Sequence, residues 1–250
     1  MTAPALLTLA HGSRDPRSAR TIRALRDVVR SLRPDLRIES AFLELSSPHH
    51  SDVFAKLAAD SVEEVVVVPL LLSEAYHTRV DVPSAVAAAV GSHPGLRVET
   101  TPVLGAQRPF LGVLDRRLRA ALTQSHVREL DALVLTAAGS SDAVANAGIA
   151  RVARAWGAQH RLPVLTAFAS AAPPSAGEAV RAFRAEGRRH IAVGSFFLAP
   201  GLLPDRVREL AQEAGAVAVS EPLGADVEIA RTVLERYAVG AVDMVPLPAP

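Results

Sequence analysis

Three side chains that bind first-row metals each follow an apolar, strand-like run near the start of the chain. His11 follows residues 5–9, Glu44 follows residues 37–42 and His77 follows residues 65–72. In open parallel α/β sheets, ligands settle outside the carboxyl ends of the strands. Three strands therefore deliver two imidazoles and a carboxylate to one edge. That set suits a divalent first-row ion held with open coordination positions. Neutral imidazole binds such an ion and titrates near neutrality, so it also accepts protons.

The chain supplies its own control, because it contains itself twice. Leu6-Leu7-Thr8-Leu9-Ala10-His11-Gly12-Ser13 returns as Leu133-Val134-Leu135-Thr136-Ala137-Ala138-Gly139-Ser140. The valine run from Val65 returns at Ile191, Thr101-Pro102-Val103-Leu104-Gly105 returns as Glu221-Pro222-Leu223-Gly224, and Leu114-Asp115-Arg116-Arg117-Leu118 returns as Val233-Leu234-Glu235-Arg236-Tyr237. Four blocks recur in order, too far apart for a solenoid repeat. At the positions of His11, Glu44 and His77 the second copy carries Ala138, Ser170 and Leu203. The scaffold residues persist (Gly12 with Gly139, Phe42 with Phe168, Pro48 with Pro174). Loss of all three donors together is what a shared role predicts.

The elements that position these residues alternate. Expected strands cover 5–9, 37–42, 65–72 and 96–101; expected helices cover 18–32, 51–59, 82–90 and 110–125. The second half repeats the order. Strands alternating with helices imply parallel sheets with right-handed crossovers. The expected fold is α/β: two similar lobes related by internal duplication, each a parallel four-stranded sheet flanked by helices. The boundary is expected between residues 1–126 and 127–250. The first lobe carries the site and the second, a degenerate copy, closes a cleft.

Composition narrows the chemistry. The chain has no cysteine, which removes disulfides, thiolate catalysis and Cys-ligated metals. Net charge is +1 and aromatic content 4%, so neither nucleic acid nor a membrane surface is an expected partner. No apolar run reaches the roughly 18 residues of a bilayer span, and the N-terminus reads as a strand rather than a signal peptide. The expected compartment is the cytoplasm. Neither a GxGxxG fingerprint nor a P-loop is present, although Gly12-Ser13 before a helix could hold an anion. His49 and His50 are weaker candidates for the mouth of the site, and Glu74 for a partner to a histidine.

Ala10-His11-Gly12-Ser13-Arg14, Glu44-Leu45-Ser46-Ser47-Pro48 and the stretch from Pro69 through His77-Thr78-Arg79-Val80-Asp81-Val82-Pro83 resemble the sirohydrochlorin chelatases. These are cofactor-free tetrapyrrole chelatases that insert ferrous iron or cobalt on the sirohaem and cobalamin routes. The resemblance covers both lobes and is specific in the first. It implies a lyase that uses His11, Glu44 and His77 for metal handling and catalysis. It implies that Gly12 and Ser13 let the backbone approach the macrocycle. Sirohydrochlorin is a polycarboxylate, so Arg14 and Arg79, close to the two histidines in sequence, are candidate clamps for it or else solvated surface residues, and Tyr76 is a candidate to cover the macrocycle or else to fill a packing gap. It further implies no cofactor beyond the substrate metal, with ferrous iron first and cobalt second. The duplication supplies in one chain what a short homologue obtains by pairing, so a monomer is expected. The rival reading is a non-catalytic metal or tetrapyrrole carrier sharing the same trio.

Overall fold

The computed structural model describes residues 3–73 and 76–245, the side chains of 76–79 excepted. Strands and helices alternate throughout: β1 (Ala5–Ala10), α1 (Pro16–Leu32), β2 (Ile38–Phe42), α2 (His50–Ala59), β3 (Glu64–Pro69), α3 (Tyr76–Ser92), β4 (Arg97–Thr100) and α4 (Pro109–Gln124). The second set is β5 (Ala132–Ala137), α5 (Ala143–His160), β6 (Val164–Phe168), α6 (Ala176–Ala185), β7 (Ile191–Ser195), α7 (Leu202–Glu213), β8 (Ala218–Val219) and α8 (Val227–Asp243). They build two four-stranded parallel sheets, ordered β2-β1-β3-β4 and β6-β5-β7-β8. The expected fold class is the observed one.

Burial explains the strands. Every residue of β1 and β5 is buried, and Val65 to Val68 of β3 are fully so. Continuous apolar strands suit parallel sheets covered by helices on both faces. The helices turn one stripe inward: Ala19, Ile22, Leu25 and Val29 in α1 recur at helical spacing. Asp15 starts α1 by accepting from the backbone N–H of Arg17, and Asp142 starts α5 by accepting from that of Val144. The Arg17 side chain also donates to Asp15, which holds that carboxyl down to about 2 and keeps the cap ionised at neutral pH.

The chain divides into two compact units, but not at 126/127 as expected. One unit is Met1–Gly105 with Ala225–Pro250; the other is Ala106–Gly224. The last helix of each repeat is thus exchanged. α8 packs on α1, β3 and β4 in the first unit, and α4 on β7 and β8 in the second. Within the first unit the Tyr237 hydroxyl donates to the carbonyl of Pro4 (2.7 Å), and Arg97 donates to the carbonyl of Met244. Gly240 lies so close to the sheet that a Cβ there would come within 2.8 Å of Val66 and Thr101. Within the second unit Arg117 of α4 donates twice to the carbonyl of Leu223, and Leu114 lies beside Gly194. Both helices carry a similar apolar stripe, so the repeat pattern alone does not say which sheet each one covers.

Candidate metal site at the carboxyl edge of the first sheet

The first unit's strand order reverses between β1 and β3, where the chain leaves β1 toward one edge and returns through β3 toward the other. His11 is the first residue after β1, and Glu44 is the second after β2. Their loops are joined by backbone hydrogen bonds. Leu43 N–H donates to the Ala10 carbonyl and Glu44 N–H to the His11 carbonyl, both at 2.9 Å. Ser46 completes the seam: its Oγ accepts from Ser13 N–H (3.0 Å) and donates to the Ser13 carbonyl (2.8 Å). The register of β1 against β2, with Ala10 opposite Phe42, thus fixes where His11 and Glu44 stand.

The result is a close pair. His11 Nε2 lies 3.4 Å from Glu44 Oε1, with side chains 38% and 55% exposed. Both reach solvent. The pair opens into a cleft of about 560 Å³ that is also lined by Leu43, by His50 of α2 and by Asp81, Ser84, Ala85 and Ala88 of α3. Two imidazoles and two carboxylates face this one volume. Among the described residues no three His, Asp or Glu side chains come together as a ready cage. Burial pushes the His50 imidazole below the ordinary histidine range; His49 adds to that shift and Asp52 opposes it.

The second unit keeps the scaffold without the chemistry. Ala169 N–H donates to the Ala137 carbonyl, and Ser170 N–H to that of Ala138. Leu45 and its counterpart Ala171 both have positive φ, at 59° and 61°. The loops are the same; the reactive side chains are missing. The alignment of His77 with Leu203 also holds at the level of elements, since they are the second residues of α3 and α7.

The remaining expected site residues divide into groups. Gly12 has φ +104°, and a Cβ there would fall 1.7 Å from the Glu44 carbonyl oxygen. Its glycine is required by the seam between the two loops, without any ligand. The Ser13 hydroxyl accepts from Asp15 N–H (3.1 Å), so it shapes the turn into α1. Arg14 is exposed and is not among the residues lining the cleft. α3 starts at Tyr76, six residues earlier than expected, so His77 lies in a helical first turn rather than a loop. The side chains of Tyr76, His77 and Arg79, and Glu74 as a whole, lie outside the described residues. Sequence reasoning missed Asp81, although Asp81, Ser84, Ala85 and Ala88 recur at the three- and four-residue spacing of one helix face.

The CbiX family model matches this chain twice, at residues 5–121 and again at 132–239, once for each repeat. The chain belongs to the CbiX family. The chain is 25% identical over 214 residues to a sirohydrochlorin cobaltochelatase of Priestia megaterium, covering 83% of this chain and 68% of that protein. It is 24% identical over 207 residues to a sirohydrochlorin ferrochelatase of the same organism, covering 82% and 77%. The structure of the sirohydrochlorin chelatase SirB from Bacillus subtilis subspecies spizizenii in complex with cobalt superposes with a TM-score of 0.80 at 20% identity, over 97% of both chains. That likeness is one of fold. No helix among the described residues of this CbiX-family chain is long and apolar enough to cross a membrane.

Proposed function

We propose that this chain is a sirohydrochlorin chelatase that inserts a divalent metal into the tetrapyrrole, ferrous iron for sirohaem first and cobalt second. The observation that carries the reading is the His11–Glu44 pair, 3.4 Å apart at the mouth of a cleft in the one repeat that retains reactive side chains. CbiX-family membership and two chelatase relatives of differing metal support it.

Insertion exchanges two pyrrole protons for one divalent ion. His11 and His77 hold the metal as substrate, and Glu44 offsets its charge and takes protons from the ring. Imidazole and carboxylate bind such an ion weakly enough to release it to four ring nitrogens, and the chain has no thiolate to trap it. Tyr76, Arg14 and Arg79 are proposed to hold the macrocycle, with Gly12 and Ser13 near it. We place the protein in the cytoplasm, as a monomer using no cofactor beyond the substrate metal and no nucleic-acid partner.

Anaerobic turnover of sirohydrochlorin with ferrous iron or cobalt in excess tests the proposal. The wild type is expected to turn over many times, and His11→Ala to lose about a hundredfold or more in rate with its melting temperature nearly unchanged. A single stoichiometric binding event without turnover indicates a carrier instead. Near-wild-type turnover by His11→Ala removes that residue from the mechanism.

A further inference from the structure

His50 opens α2 on the wall of the cleft that holds His11 and Glu44. The second repeat shows what this helix start needs. There Ser175 caps α6 in a closed capping box with Glu178, and the next residue, Ala176, is fully buried. In the first repeat the same register carries His49 and His50. His49 is a poorer cap, accepting from Ser51 N–H at 3.4 Å. A small residue at position 50 would pack as Ala176 does. The helix therefore has no need of the second imidazole. His50 is instead held with Nδ1 buried and without a hydrogen-bond partner, an arrangement that costs stability, while the residue lines the cleft.

We propose that His50 is a further donor to the divalent metal, capturing the incoming ion on the cleft wall before it passes to His11 and Glu44. Asp81, from α3, lines the same volume and gives the captured ion a nearby anionic group. With few protein donors and water completing its shell, the captured ion stays exchangeable, as a metal in transit must. The inference rests on reading this cleft as the metal-handling site of a chelatase.

The test is a Co²⁺ titration of the whole chain without tetrapyrrole, followed by visible absorption, in the wild type, His50→Ala and His50→Asn. Melting curves accompany each variant. Both variants are expected to bind Co²⁺ about tenfold more weakly. Their insertion rate, lost at low metal, should recover as Co²⁺ is raised. Should His50→Ala fail to fold, the near-isosteric His50→Asn decides between the outcomes. Affinity within about twofold of wild type in the folded variants, or no Co²⁺ binding by the wild type, overturns the inference. His50-dependent Co²⁺ binding without turnover of sirohydrochlorin overturns the chelatase reading and leaves the donor in place. Full turnover with unaltered Co²⁺ binding does the reverse.

Discussion

Gly12 shows how much of the site depends on one backbone position. Its φ of +104° is open to glycine, and a Cβ would collide with the Glu44 carbonyl at 1.7 Å. Gly12→Ala must therefore move the loop that carries Glu44. It is expected to destabilise the protein by about 2–4 kcal/mol and to lower chelatase turnover beyond what the lost stability explains. Gly139→Ala meets the matching Ser170 carbonyl at 2.1 Å. It should cost comparable stability while leaving the His11–Glu44 seam untouched. Melting curves and turnover of the two variants compared side by side check this; equal losses of turnover per degree of melting would contradict it. At this scale the sequence reveals the pair and its glycine, because the second copy keeps Gly139 and drops the imidazole. It hides the glycine's reason, since two loops about 30 residues apart meet only once β1 and β2 are in register. It also does not show that His50 lines the cleft, as a helix-start residue looks solvated until the facing helix is placed.

At the scale of elements, strands are the most legible feature, because fully buried parallel strands read as unbroken apolar runs. The start of α3 is not. The segment after β3 reads as a loop up to Asp81, yet the helix begins at Tyr76 and runs through Pro83. Helix α4 stands where its spacing predicts but belongs to the other unit. It is held in the second unit by the buried carboxylate of Asp115, which accepts from Trp156 Nε1 (2.7 Å) and Gln159 Nε2 (2.8 Å) and lies 2.8 Å from His160 Nε2. Trp156 is fully buried, so removing its acceptor strands an indole N–H. Asp115→Ala is expected to lower stability by about 1–3 kcal/mol in a denaturant titration. The spacing of Asp115 from Trp156 carries no signal of this contact, because the two residues belong to different repeats. A change of less than about 0.5 kcal/mol would mean that the network does not fasten α4.

For the whole molecule, duplication is the organising fact, and it is readable because four blocks recur in order. What the sequence does not show is the exchange of α4 and α8: the two helices match each other, and either stripe suits either sheet. The exchange makes the second unit one contiguous stretch, Ala106–Gly224, and the first unit a composite of both chain ends. A fragment of residues 106–224 should therefore fold cooperatively by far-ultraviolet circular dichroism. A fragment of residues 1–126, the repeat as the sequence alone would cut it, lacks α8 over β3 and should aggregate or melt without cooperativity. The reverse outcome would restore the boundary at 126/127. The proposed chemistry depends on the first unit alone holding the metal. Crystals soaked in Co²⁺ without tetrapyrrole and measured at the cobalt edge address this most directly. An anomalous peak within coordination distance of His11 Nε2 and Glu44 is the predicted result. A peak confined to the second unit, or none near His11, would contradict the proposed chemistry.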